Sequence, residues 1–298
     1  MAIAQPAAST DPAPNPSPGE IVAAAPREAW VAIAASDMLV MDLAPDAAGK
    51  PRRVVIQLMP AQFSAGWVSN IRKLAAANWW DGTAIVRVQD NYVVQWGDPD
   101  GEDEAKAKPL PDGIAQIPES DYLTVRDREA TTWLPAANGS YAPHHGMMAG
   151  WPIAWNADHA WPVHCYGMVG VGRNLSPDTG SGAELYTVIG HAPRHLDRNI
   201  ALVGRVIDGI EHLSSLPRGT GPLGFYEAAE DRTVIRAVRL ATDLPPAEQP
   251  RFEYLDSKSE SFARYADARA NRRDAFFNIP AGGADICNIP VTIRKITQ

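Results

Sequence analysis

Hydrophobic and polar positions along the chain fall into short apolar runs broken by turn residues, interrupted in three places by helical spacing. Residues 37–43 and 53–58 (RVVIQL) predict a first pair of strands, separated by the turn-rich stretch Asp46 to Pro51. Phe63, Trp67, Ile71 and Leu74 then recur at i, i+4, i+8 and i+11, which places one apolar stripe on a helix. Residues 84–88 and 92–96 read as a hairpin joined by the polar turn Gln89-Asp90-Asn91. Strands are expected again at 166–172 and 233–240, with a second helix carrying Ile207, Ile210, Leu213 and Leu216 between them. A charged helix is expected from about 258 to 277, followed by a strand at 289–296 that Pro290 confines to an edge.

Two residues break the apolar texture of the hairpin. Arg87 lies between Val86 and Val88, and Gln95 interrupts Tyr92-Val93-Val94-Trp96. Burying such groups unpaired is costly, so they either face solvent or line a cleft that needs them. Composition narrows what the cleft would serve. The chain has 298 residues, 45% hydrophobic and 21% charged, with a net charge of −8. That balance gives no basic field for phosphate neutralisation, which excludes nucleic acid as a natural partner. No run is long and apolar enough to span a bilayer as a helix. Partners are expected to be proteins or peptides, and a monomer is the expected state.

Residues 1–35 are Ala- and Pro-rich and lack both a basic n-region and an apolar h-region, so they read as a disordered lead-in and not as an intact signal peptide. Ala2-Ile3-Ala4 has the small-x-small form of an export cleavage site, which suggests a periplasmic or otherwise exported protein, with the cytoplasm as the alternative. Cys165 and Cys287 have no CxxC or metal-spaced partner. As free thiols they would be small buried hydrophobes. In an exported protein an even pair favours a disulfide tying the C-terminal segment to the strand before Met168. His144, His145, His159 and His164 fall in a Pro/Gly-rich region without regularly spaced carboxylates, so no metal site is expected.

The hairpin also carries a motif. Trp80-Asp81-Gly82, Arg87 five residues on, an aromatic at Tyr92, Gln95, and Gly97-Asp98-Pro99 resemble, without a gap, the heart of the cyclophilin family of peptidyl-prolyl isomerases. That family reads Tyr-Asp-Gly, Phe-His-Arg-Val and Phe-x-x-Gln-Gly-Gly-Asp-Pro there. Tyr166 to Gly172 resembles the family's Phe-Ser-Met-Ala-Asn-Ala, residues 180–188 its Asn-Gly-Ser-Gln-Phe-Phe-Ile, and His195 to Val206 its Trp-Leu-Asp-Gly-Lys-His block.

The resemblance implies a mainly β fold. It would be an eight-stranded antiparallel barrel capped by two helices, over residues 36–244, with an enlarged loop at about 101–162 whose Trp151, Trp155 and Trp161 pack it onto the barrel. Residues 245–298 would form a helical and strand extension. The activity implied is cis–trans isomerisation of X-Pro bonds in peptides or unfolded proteins, with no cofactor. Arg87 would stabilise the twisted amide, Gln95 would orient it, and Tyr92, Met168, Tyr186 and Leu196 would form the apolar cup for the proline ring. Val93, Gly170 and Val171 would contact the peptide, the 168–171 backbone pairing with it like an added strand. The chain departs from the family at Gly170 (an Asn there), Glu184 (Gln), His195 (Trp) and Ile200 (His). Glu184 is expected to pair with Arg87 across the cleft, which would weaken turnover and leave a peptide-binding or chaperone module as the alternative function. His195 in place of Trp is expected to reduce sensitivity to cyclosporin-class inhibitors.

Overall fold

The computed structural model describes residues 15–134 and 137–296. Eight strands form a closed barrel: β1 (Met38–Leu43), β2 (Arg52–Leu58), β3 (Ala84–Val88), β4 (Val93–Gly97), β5 (Met168–Val171), β6 (Leu185–Val188), β7 (Leu202–Asp208) and β8 (Thr233–Leu240). Around the barrel the order is β5-β6-β4-β3-β8-β1-β2-β7, every neighbouring pair antiparallel. Closure leaves no long edge to template aggregation.

β1 shows why some strands read as unbroken apolar runs. Leu39, Met41 and Leu43 point into the main core, whereas Met38 and Val40 join a second cluster with Ile33, Val55 and Phe252 on the outside of the barrel. That outer cover is a three-stranded sheet of Trp30–Ala32, Phe252–Leu255 and Ile293–Lys295, with the last at its edge. Both faces of β1 are therefore buried, and the polar alternation of a solvated strand is lost.

The first capping helix, α2 (Ala65–Ala76), buries Trp67, Ile71 and Leu74 as its stripe predicts. Trp67 donates its indole N–H to the carbonyls of Thr179 and Gly180, pinning the loop before β6. The second helix is shorter than the spacing of Ile207, Ile210, Leu213 and Leu216 suggested. β7 runs on to Asp208, and only Glu211–Ser214 (α3) is helical. The reason lies at Gly209, whose φ of +79° and close approach to the Arg53 backbone demand a turn where a helix was expected. Pro217 lies just beyond the end of the helix.

The enlarged loop is a small sheet. Residues 124–125, 131–133, 144–148, 151–155 and 159–162 form five strands with Trp151, Trp155 and Trp161 fully buried. Arg205 of β7 fastens this sheet to the barrel. It donates to the carbonyl of Gly150 at 2.6 Å and to Gln57 Oε1, and lies over the Trp151 ring at 4.2 Å. With no ion-pair partner for it among the described residues, burial pushes its pKa down to about 9.

Order extends into the N-terminal segment expected to be a disordered lead-in. α1 (Pro18–Ala23) opens on a capping box in which the Ser17 hydroxyl accepts from the Glu20 N–H and the Glu20 carboxylate accepts from the Ser17 N–H. Ile21, Ala29 and Trp30 find apolar partners in the main core, which gives the segment a reason to fold. The Ala2-Ile3-Ala4 site lies outside the described residues. The C-terminal helix, α4 (Glu260–Ala270), is N-capped by Ser259 and stops seven residues short of the expected 277, where its buried face of Phe262, Tyr265, Ala266 and Ala270 runs out. Cys165 and Cys287 form a disulfide with Cα atoms 5.1 Å apart, closing a separation of 122 residues. No helix among the described residues is long and apolar enough to cross a membrane.

Candidate active site

A β-bulge sets the site. Ile85 pairs with Trp96, but the register then shifts so that Arg87, and not Val86, stands opposite Gln95. Bulges re-aim side chains in this way and are enriched beside active sites. β8 pairs with β3 only at Thr233 and Val234, so the rest of the β3 edge is open to the loop after α3. That loop fills it: the Tyr226 N–H donates to the Val86 carbonyl, and Phe225 forms an isolated bridge with Arg87.

Arg87 is consequently held on three sides. Its Nη1 donates to Gln95 Oε1 at 2.9 Å, its Nε to the Leu223 carbonyl at 2.7 Å, and its Nη2 to Gln89 Oε1. The guanidinium lies over the rings of Tyr92 and Phe225, at 5.7 and 5.4 Å. Burial lowers its pKa, against the favourable fields of Tyr92 and Glu184, and the group stays a cation.

The expected pair between Arg87 and Glu184 does not form. Glu184 Oε1 instead accepts from Gln95 Nε2, so the order across the cleft is Glu184, Gln95, Arg87. A glutamine can bridge because it offers a donor and an acceptor at once. Burial raises the Glu184 carboxyl above its usual value, the Gln95 hydrogen bond opposing and nearby Glu102 adding to the rise. Glu184→Gln would keep the bridge and remove an anion beside Arg87. It is expected to raise kcat/KM about threefold to tenfold by strengthening the cation's field at the substrate, measured on an X-Pro peptide. No change would mean that Glu184 does not temper Arg87.

Beside Arg87, Val93, Tyr186 and Val188 form a separate apolar cluster with Tyr92 and Ile200 against it. His195 is exposed and stacks on Tyr92, ring centroids 6.5 Å apart and 13° from parallel, and Leu196 is half-buried in the same turn. Met168 does not join this cup. It is buried in the main core, as is Val171. β5 lies between β6 and β7 in the closed barrel, so the 168–171 backbone has no free edge for strand addition. Gly170 has a different role: a Cβ there would overlap the phenol of Tyr186, so the ring lies over bare backbone. Sequence reading did not single out Gln89, Leu223 or Phe225 as site residues. Only the fold brings the loop after α3 to Arg87. The groove continues as a cleft of about 620 Å³ lined by Gln95, Glu184, Phe225, Lys108 and Arg173.

Under the apolar cluster runs a buried polar chain. The Tyr186 hydroxyl meets His164 Nε2 at 2.9 Å, and His164 Nδ1 meets Asp197 Oδ1 at 2.9 Å. Asp197 Oδ2 accepts from Arg194 Nε at 2.7 Å, and the Arg194 Nη2 donates to His145 Nε2 at 3.2 Å. Burial works to raise the Asp197 carboxyl, but hydrogen bonds from His164 and the charge of Arg194 outweigh it and hold the carboxyl below its usual range. His144, grouped with these histidines in the sequence, stacks on Trp155 instead, and His159 is exposed. Among the described residues no group of three or more metal-ligating side chains converges.

Burial, and then the Arg194 charge, lowers the His145 pKa below its ordinary 6.5. The unfolded chain therefore takes up this proton at a higher pH than the folded one, so stability falls as pH drops below about 6.5. Tm is expected to fall between pH 7.5 and 5.5, with a shallower fall in His145→Gln. Equal slopes would remove His145 from the account.

A family model described as cyclophilin type peptidyl-prolyl cis-trans isomerase/CLD matches residues 45–239. Among solved structures, the cyclophilin AquaCyp293 from Hirschia baltica is similar to this chain with a TM-score of 0.68 and 21% identity, over 89% of this chain and 93% of that one. A cyclophilin type isomerase from Cryptosporidium parvum, crystallised in the presence of the dipeptide Ala-Pro, aligns at a TM-score of 0.38 and 12% identity, over 67% of this chain and 98% of that one. No curated protein sequence matches the chain.

Proposed function

The chain belongs to the cyclophilin-type peptidyl-prolyl cis-trans isomerase family, and from that premise we propose that it catalyses cis–trans exchange about X-Pro bonds of peptides or unfolded proteins, with Arg87 as the catalytic group. The observation that carries this reading is the state of the Arg87 guanidinium. Of its five N–H donors, three are taken by Leu223, Gln95 and Gln89, which leaves two to meet a substrate in the cleft.

The chemistry asks for little else. Rotation about the amide faces a barrier of roughly 18–20 kcal/mol from resonance and takes about tens of seconds unaided. In the twisted state the prolyl nitrogen turns pyramidal and regains its lone pair. A fixed donor aimed at that nitrogen therefore binds the twisted amide better than the planar one, which lowers the barrier without a covalent step. Gln95 holds the planar fork in one orientation, and Val93, Tyr186, Val188 and Ile200 offer the prolyl ring an apolar seat.

The test is the relaxation of a short X-Pro peptide after a jump in its cis population, with and without the protein. Acceleration in proportion to protein concentration is expected, and the uncatalysed rate at every concentration would overturn the reading. A second reading, a groove that binds peptides without turning them over, is favoured by the Glu184 anion hydrogen-bonded to Gln95 next to Arg87. Under that reading the wild type is inert and Glu184→Gln stays inert.

The disulfide supports an oxidising, exported location. With an exposed His195 in place of an indole, tight cyclosporin binding is not expected, and a competition assay against a labelled X-Pro peptide checks it.

A further inference from the structure

We propose that His164 is a positioning residue for the prolyl pocket: through one hydrogen bond it holds the Tyr186 ring flat at the pocket floor and so sets how well the pocket admits a proline. The inference rests on the isomerase reading for its substrate but on its own geometry for its mechanism.

Tyr186 is 5% exposed and carries a hydroxyl that needs a partner when buried. His164, fully buried, supplies it at 2.9 Å, and the two rings lie within 12° of parallel. The direction of the bond is fixed from behind. Asp197 Oδ1 faces both the His164 backbone N–H, at 3.0 Å, and its ring Nδ1, at 2.9 Å. A carboxylate can only accept, so Nδ1 carries the proton; in the neutral imidazole Nε2 then presents its lone pair, and the Tyr186 hydroxyl donates to it. The missing side chain at Gly170 makes room for the phenol to lie down.

The anchors come from the parts of the chain outside the barrel. Asp197 is held by Arg194, three residues earlier in the turn that also carries His195 and Leu196. Arg194 in turn reaches His145 of the inserted sheet at 3.2 Å and Asp285 of the C-terminal extension at 3.4 Å, two residues before the disulfide cysteine Cys287. The insertion and the extension thus converge behind the pocket floor.

The experiment compares wild type with His164→Leu, Tyr186→Phe and the double variant. In His164→Leu, Asp197 keeps the backbone N–H and Arg194, but the Tyr186 hydroxyl loses its acceptor and turns toward water in the pocket. KM for an X-Pro peptide is expected to rise roughly tenfold, with kcat changed less than about twofold. Adding Tyr186→Phe removes the stranded hydroxyl, and KM should return to within about twofold of wild type, since deleting both partners is nearly neutral. A merely structural histidine would give no such rescue. An unchanged KM in folded His164→Leu, or a double variant with KM still raised, would overturn the proposal.

The dissociation constant of the same peptide, read from NMR shifts, is measured alongside. If no variant turns over, the isomerase reading fails while affinity still tests the pocket. Should His164→Leu not fold, the wild type alone decides: ¹⁵N-histidine spectra must show the Nδ1–H tautomer for His164, and the Nε2–H tautomer would contradict the proposal.

Discussion

Replacing Arg87 with alanine is expected to lower kcat/KM for an X-Pro peptide by about 10²–10³-fold, the range seen when one preorganised donor to a transition state is removed. The loss should fall on kcat, because the prolyl seat of Val93, Tyr186 and Val188 does not depend on the guanidinium. Folding should be little affected, since Arg87 is half-buried and forms no ion pair among the described residues, and its removal leaves Gln89 and Gln95 near the solvated cleft. Arg87→Lys is expected to recover only part of the rate, because an ammonium on a flexible stem cannot hold Gln95, Gln89 and Leu223 while also meeting the substrate. A peptide-exchange assay with circular dichroism as the folding control checks both variants. Wild-type rates in Arg87→Ala would remove it from catalysis.

Removing the disulfide should have the largest effect on stability. Cys165→Ser with Cys287→Ser opens a closure across 122 residues, and the expected cost is about 2–5 kcal/mol, read as a lower urea midpoint. The bond joins the segment before β5 to the C-terminal extension, so without it the unfolded chain gains freedom and the extension loses its covalent tie to the barrel. The neighbouring contacts give that tie a local meaning: Cys287 donates its backbone N–H to Asp285, whose other oxygen faces Arg194. An unchanged midpoint in the double variant would mean that packing alone secures the extension.

The strands that carry the site were legible because each is short, apolar and bounded by turn residues. Residues 84–88 and 233–240 coincide with β3 and β8, and Arg87 and Gln95, the polar breaks in the hairpin, meet across it at 2.9 Å. What could not be read depends on tertiary company. Met168 has the composition of a pocket residue, yet it is buried in the main core. Leu223 and Phe225 reach Arg87 because β8 leaves the edge of β3 open, a fact of register and not of local sequence. Nothing in the sequence sets His164 apart from the three other histidines of its region, because its partners are a tyrosine 22 residues away and an aspartate 33 residues away. Glu184 lines the cleft, and its bond to Gln95 instead of Arg87 depends on how the barrel places the three side chains and not on sequence spacing. The helix expected through Ile207 failed because spacing by three also fits the end of a strand followed by one turn.

The most direct test of the account is the cis–trans exchange rate of an X-Pro peptide at equilibrium, measured by NMR exchange spectroscopy with wild type and Arg87→Ala at equal concentration. Wild type is expected to broaden and merge the cis and trans signals while Arg87→Ala leaves them sharp at the uncatalysed rate. Exchange equally fast with both proteins, or with neither, would contradict the claim that Arg87 turns this groove into an isomerase.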